Sequence, residues 1–380
     1  MNIYFVTGAS GAVGSAVVPL LYADERTRVR ILLRAKSADH LKERMEELCR
    51  FWQLPPGAEA RARVVPLRGD ASQPKFGLSD DDYAALCADT THIIHCAASV
   101  RMNDTLEYAR RSAVGSMQEI LSLARQLAAG GTLAKVDLVS TVGIAGKRPG
   151  ALPERWIDEP RAFHNTYEQS KAEAEALVRA AIEQEHLPIT VHRPSMVIGD
   201  SRDGRIIHFQ IFYFICDCLS GRRTYGVLPD LREVRLDIIP VDAVAGAIAR
   251  ASRAPDTVGR IFHLCSGPER SIRLTTLRQV VREAFKRRGV AVPFGIVLPH
   301  GLFSLLQKTA ARLAPAQRRR ALSTLPIYLD YLGDQQGFDN REFLGWLSAT
   351  GATLPRWEDY LPRVLQRFLD EKPPRESKRR

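Results

Sequence analysis

An α/β fold, a doubly wound parallel sheet with a smaller and mostly helical C-terminal part, is what this sequence predicts, and three observations carry the prediction. Short β-branched and apolar runs alternate with helical patterns through residues 1–265. The first run, Asn2–Thr7, breaks into the glycine-rich turn Gly8-Ala9-Ser10-Gly11-Ala12-Val13-Gly14, which leads straight into a helical pattern. Residues suited to chemistry fall just after the ends of the apolar runs, where parallel sheets bind ligands; unrelated surface residues would scatter over both edges.

The elements follow in order. Asn2–Thr7 is a strand, and the turn behind it reads as a dinucleotide cradle made by Thr7, Gly8, Ser10, Gly11, Ala12, Val13 and Gly14. Gly8 permits the turn, Gly11 lets backbone approach a diphosphate, and Gly14 lets the following helix, Ser15–Tyr22, pack close to the strand. The strand Val29–Leu33 ends at Arg34, with Lys36 close behind. An acidic residue at this place binds a ribose 2′-hydroxyl, whereas a guanidinium fork suits a 2′-phosphate, so NADP(H) is predicted over NAD(H). Ala38–Phe51 is an amphipathic helix, and Arg63–Leu67 a third strand ending in Gly69-Asp70, with Asp70 placed at the adenine edge. His92–His95 is a fourth strand running into Cys96-Ala97-Ala98-Ser99, where the small Ala97 and Ala98 let backbone lie against the cofactor. A helix over 105–127 follows, then strands Val136–Val139, ending in Ser140-Thr141, and Ile189–His192, ending in Arg193-Pro194.

Tyr167 and Lys171 stand four residues apart at the head of a long helical run, so both side chains share one helix face. A phenol has a pKa of about 10, and a fixed ammonium beside it favours the phenolate. The spacing therefore predicts an acidified Tyr167 able to exchange a proton near neutrality. Ser140 and Thr141 point to opposite faces of their strand, so one of the two hydroxyls reaches the site.

Composition bounds the rest. The chain has 380 residues, of which 45% are hydrophobic, enough for one large domain and an appended part. No apolar run reaches the roughly 18 residues that span a bilayer, and the N-terminus begins directly on a strand pattern, so a cytoplasmic location is expected. Six scattered cysteines read as reduced core residues, and Cys216 with Cys218 lacks the second pair of a metal site. The net charge of +11 points to anionic partners such as a nucleotide phosphate, coenzyme A or an acidic carrier protein, or to a surface that simply favours arginine. Zinc-finger spacings, helix-turn-helix cues and aromatic-basic stripes are missing, which argues against nucleic acid.

With Thr7-Gly8-Ala9-Ser10-Gly11-Ala12-Val13-Gly14, the hydroxyl pair at 140 and 141, and Tyr167 with Lys171, the chain resembles the extended short-chain dehydrogenase/reductase family of Rossmann folds. Within that family it is similar to the thioester reductases and fatty acyl-CoA reductases. The segments 66–70, 76–79, 94–101, 167–171, 193–201 and 237–242 carry the likeness, which covers about residues 1–265. The resemblance implies NADP(H) and reduction of an acyl thioester, on a carrier protein or coenzyme A, to an aldehyde or alcohol. It assigns Thr141 as substrate hydroxyl, Tyr167 as acid, and Lys171 as ribose ligand and modulator of the phenol. It also places Tyr167, Lys171 and Pro194 against the cofactor. The chain departs from the family at Ser112, where Asn is usual. The alternative within the same superfamily is an epimerase or dehydrogenase of a nucleotide-sugar or hydroxysteroid-like substrate.

The second half reads less regularly. Residues 1–200 are expected to form the cofactor domain, completed by strands from about 236–265, with 201–235 and 266–370 as a substrate-binding part and 371–380 as a disordered tail. The apolar, aromatic run 205–219 suits an acyl pocket or a buried core helix equally. Thr275 caps a helix to Arg287. The stretch 290–320, apolar and then basic at Arg318, Arg319 and Arg320, reads as a lid on the substrate site in preference to a peripheral membrane contact.

Overall fold

The structure is a computed structural model and describes residues 1–102, 104–224, 226–230, 234–299, 301–303, 305 and 336–372. Seven parallel strands form the central sheet. They are β1 (Asn2–Thr7), β2 (Thr27–Leu33), β3 (Val64–Arg68), β4 (His92–His95), β5 (Lys135–Val139), β6 (Ile189–Pro194) and β7 (Ile261–Leu264). Their spatial order is β3-β2-β1-β4-β5-β6-β7, so the chain winds outward in one direction from β1 and returns to wind in the other from β4. That reversal opens a crevice between the C-terminal ends of β1 and β4, where doubly wound sheets take ligands.

Both faces of such a sheet must be covered, which is why its strands carry nearly unbroken apolar runs. On one face pack α1 (Ala12–Tyr22), α2 (Ala38–Phe51) and two later helices, Val241–Ala251 and Arg341–Ala349, through Val17, Leu21, Leu48, Ile248 and Trp346. The other face takes α3 (Asp80–Asp89), α4 (106–129) and α5 (Thr166–Glu183), through Leu86, Ile120, Leu127 and Val178. A π-turn at Arg111–Gly115 interrupts α4. Asn165 caps α5 by accepting from the Glu168 amide at 3.0 Å.

The C-terminal part has its own core, built by α6 (Ile211–Leu219), α8 (Leu274–Arg287) and α10 (Trp357–Glu371), with α7 and α9 being the two helices on the sheet just named. Phe212, Ile215 and Cys216 of α6 are buried against Leu277, Phe285, Tyr360 and Val364. Of the two readings of 205–219, the core helix is therefore the one this packing supports. Ile261–Leu264 joins the sheet edge beside β6, but Ile238–Pro240 pairs with Met196–Ile198 in a separate two-stranded ladder. The α8 helix starts two residues earlier than expected, at Leu274, with Arg273 in place of Thr275 as its cap residue and no side-chain cap bond. Arg273 is held there by the pairing of Ile272–Arg273 with Arg235–Leu236. No helix among the described residues is long and apolar enough to cross a membrane. Most of the expected lid, including Arg318, Arg319 and Arg320, and residues 373–380 of the tail lie outside the described residues.

Candidate active site

The crevice begins at the glycine turn. Thr7 is fully buried, and its hydroxyl meets His95 Nδ1 at 2.7 Å, so it ties the end of β1 to the end of β4. Burial and the charge of Lys171 push His95 down to about 3, which keeps its ring neutral in this seam. Gly8 has φ +75°, and a Cβ there would lie 2.6 Å from the Ala97 nitrogen. A Cβ on Gly14 would lie 2.3 Å from the Gly8 carbonyl oxygen. Gly11 differs: a methyl there would meet only the Gly8 oxygen, at 3.2 Å, so its smallness serves approach from outside the chain. No side chain caps the amides at the start of α1, leaving the positive end of that helix facing the turn. Ser10, Ala12 and Val13 stand on the rim of this turn, and uncapped amides of this kind can hold a diphosphate.

Two arginines flank this turn. Arg34 is exposed at the end of β2. Arg44, on α2, donates to the Arg34 carbonyl at 2.7 Å and to the Ser10 hydroxyl at 3.0 Å. Sequence reasoning missed Arg44, whose only signal is a charge on the polar side of an amphipathic helix. Asp70 uses one carboxylate oxygen to accept from the Ser72 amide and hydroxyl, at 3.0 and 2.8 Å, which shapes the loop after β3. Ala97 and Ala98 follow β4 and are half-buried. Ser112, the position that departs from the resemblance, accepts from the Ser99 amide at 2.8 Å and so pins the same loop.

The two candidate hydroxyls stand just after the end of β5. Thr141 is near enough to the Tyr167 phenol to lower its pKa, while the Ser140 hydroxyl is buried with no partner among the described residues. Thr141 Oγ1 accepts from the Gly143 amide at 3.1 Å, which leaves its own proton available to donate. Lys171, 5% exposed, donates to the Val139 carbonyl at 2.9 Å. Burial lowers it to about 8, against the opposing charges of Glu175 and Cys96.

The expected acidification of the phenol is corrected here. Burial pushes Tyr167 up to about 12, the neighbouring Thr141 hydroxyl lowers it, and the nearby Glu168 raises it. The ammonium of Lys171 is turned to the β5 carbonyl instead. Beneath the site, Arg193 is held in a two-pronged pair with Glu175, at 3.0 and 2.6 Å, with both groups buried. Pro194 is buried at the end of β6, next to this pair.

The comparisons with known proteins agree with this architecture. The family described as male sterility protein matches residues 6–248. The isonitrile lipopeptide synthase of Streptomyces coeruleorubidus is 28% identical over 270 residues, 70% of this chain and 18% of that protein. The chain is similar to the terminal R domain from the myxalamid PKS-NRPS biosynthetic pathway, with TM-score 0.79, 27% identity and coverage of 98% and 91% of the two chains. A thiolation-reductase di-domain from an archaeal non-ribosomal peptide synthetase shares the fold, with TM-score 0.75, 18% identity and coverage of 97% and 75%. The chain spans between 5% and 28% of the length of the curated relatives it matches.

Proposed function

The chain belongs to the male sterility protein family, an NAD(P)-binding group of extended short-chain reductases, and from that membership and the crevice geometry we propose that it is an NADPH-dependent reductase of acyl thioesters. The observation that carries the reading is the Lys171–Val139 hydrogen bond, which holds the head of α5, with Tyr167 one helical turn away, against the end of β5 that leads into Thr141. The substrate class is an acyl group on the pantetheine thiol of a carrier protein, in preference to coenzyme A. Support for a carrier comes from the lipopeptide synthase relative and the similarity to the terminal R domain from the myxalamid PKS-NRPS pathway, and the formal charge of +11 suits an acidic partner.

The residues would work as follows. The amides of the Gly8–Gly14 turn hold the diphosphate, Arg34 and Arg44 clasp the 2′-phosphate through charge-assisted hydrogen bonds, and Lys171 orients the ribose. Asp70 borders the adenine, and Ala97, Ala98 and Pro194 offer flat walls. A nicotinamide bound there supplies the hydride. Negative charge then grows on the thioester oxygen, and the hydroxyls of Tyr167 and Thr141 are the donors that would meet it. Tyr167 delivers its proton to that oxygen as general acid, giving a hemithioacetal; its C–S bond then breaks as the hydroxyl gives up its proton and the pantetheine sulfur leaves as the thiol, so that aldehyde is released. Burial keeps the phenol protonated through the neutral range, which suits a group that must give a proton and not take one. The epimerase-type structures among the neighbours share the fold alone, at 16% identity.

The test is product analysis with the purified chain, NADPH and acyl groups on a phosphopantetheinylated carrier protein, on coenzyme A, and, as the contrast, a set of nucleotide-sugars. NADPH consumption with release of aldehyde or alcohol from the carrier supports the reading. Turnover of a nucleotide-sugar without thioester reduction overturns it.

A further inference from the structure

A cavity of about 470 Å³ opens in the C-terminal part, and none of its lining residues belongs to the crevice. One wall is the parallel ladder of Val227–Pro229 with Ile296–Leu298, which contributes Leu228, Val297 and Leu298. Another is the start of α8, where Leu274, Thr275 and Arg278 stand one and four residues apart and so share a helix face. Most of the lining is therefore apolar, with a guanidinium set into it. Pockets that take small molecules have this make-up, apolar walls for affinity and a few polar groups for orientation.

The guanidinium lacks a counter-ion. Arg278 Nε is buried with no hydrogen-bond partner, and Arg278 forms no ion pair among the described residues. Its head lies over Gly295, where it leaves no room for a Cβ, so it sits between α8 and the segment leading into the ladder. Arg282, one turn further along α8, is spent on the carbonyls of Ser220 and Pro293, at 3.1 and 2.7 Å, and ties that segment down. Two cations four residues apart on a helix repel each other. Burial and then the charge of Arg282 hold Arg278 below the ordinary guanidinium range. Asp230, the acid among the lining residues, gives its amide to the Leu298 carbonyl at 2.9 Å, has a partner of its own and does not pair with Arg278. A desolvated cation without an anion is costly to keep, and the cost is relieved when an anion arrives from outside the chain.

We propose that this cavity binds an amphiphilic anion, with a carboxylate or phosphate head on the Arg278 guanidinium and an apolar tail along Leu228, Leu274 and Leu298. The planar fork of the guanidinium matches either head with two parallel hydrogen bonds. The ladder and the helix supply apolar surface for the tail, which a bare inorganic anion would leave unused. The site is separate from the crevice, so the inference does not rest on the reductase reading.

The test is calorimetric titration of the full chain with decanoate, monodecyl phosphate and decanol, each below the concentration at which it aggregates. At least one of the two anions is expected to bind one-to-one, and the tighter of them identifies the head. Decanol has the same tail and no charge, and should bind roughly ten- to a hundredfold more weakly. Arg278→Met keeps an unbranched apolar stem and removes the fork, so it should weaken the anion by a similar factor and change decanol little. Should Arg278→Met fail to fold, Leu298→Trp, which fills the cavity from the ladder side, must weaken the anion instead. No binding of either anion, decanol binding as tightly as they do, or an anion affinity unchanged in the variant overturns the proposal. NADPH and thioester take no part in the titration, so a chain that reduces no thioester would still give a decisive result here.

Discussion

Arg44 joins the Ser10 hydroxyl to the Arg34 carbonyl, so the rim of the glycine turn and the end of β2 share one guanidinium. Replacing it with alanine removes a fork suited to a 2′-phosphate and nothing that NADH needs. Arg44→Ala is expected to raise the Kd for NADPH about tenfold and leave that for NADH near its native value, as read by cofactor fluorescence titration. Tyr167→Phe keeps the ring and removes the proton. Turnover should fall by about 10² to 10⁴, with NADPH affinity retained. The two residues differ in legibility for a physical reason. Tyr167 with Lys171 is visible because a four-residue spacing on a helix is a geometric statement. Arg44 is one of several charges on the solvent side of α2, and only the folded loop shows which of them turns inward.

At the scale of elements, the turn between β1 and α1 stores the tightest constraint. Gly8 has φ +75° and no room for a Cβ against Cys96 and Ala97. Gly8→Ala should cost about 1–3 kcal/mol or more from the backbone conformation and the clash together, seen as a lowered thermal midpoint, together with loss of cofactor binding. Strands built on apolar runs were legible: Asn2–Thr7 and His92–His95 have the bounds the sequence indicates, because a strand buried on both faces stays apolar inside and is bounded by residues of another kind. Strands of two or three residues, such as Arg235–Leu236 and Ile238–Pro240, have no period to read, and their pairing depends on partners far along the chain. The same holds for α6, whose aromatic run suits a pocket wall and a core helix alike until α8 and α10 are packed on it.

Across the whole molecule, Glu154 clips the loop before α5 to the far edge of the sheet. It accepts from the amides of His263 on β7 and Glu342 at the start of α9, both at 2.7 Å. Burial pushes its carboxyl up to about 7, against the pull of those amides. A carboxyl whose folded pKa is raised contributes stability that is full below the unfolded value of about 4.5 and is lost as pH rises through about 7. The thermal midpoint of the native chain should therefore decline between pH 5 and 8. In Glu154→Gln that part of the decline should disappear, and an unchanged slope would remove Glu154 as its source. No pattern in the sequence marks this residue, because its partners are backbone amides about 110 and 190 positions away.

The central claim is that hydride passes from a nicotinamide in the β1–β4 crevice to a thioester carbonyl beside Tyr167. The most direct measurement is a single turnover with NADPH deuterated at the transferring position and an acyl group on a phosphopantetheinylated carrier, with the released product weighed by mass spectrometry. The account predicts one deuterium on the former carbonyl carbon, released about 10² to 10⁴ times more slowly by Tyr167→Phe. Unlabelled product, or label arriving at an undiminished rate in Tyr167→Phe, would contradict it.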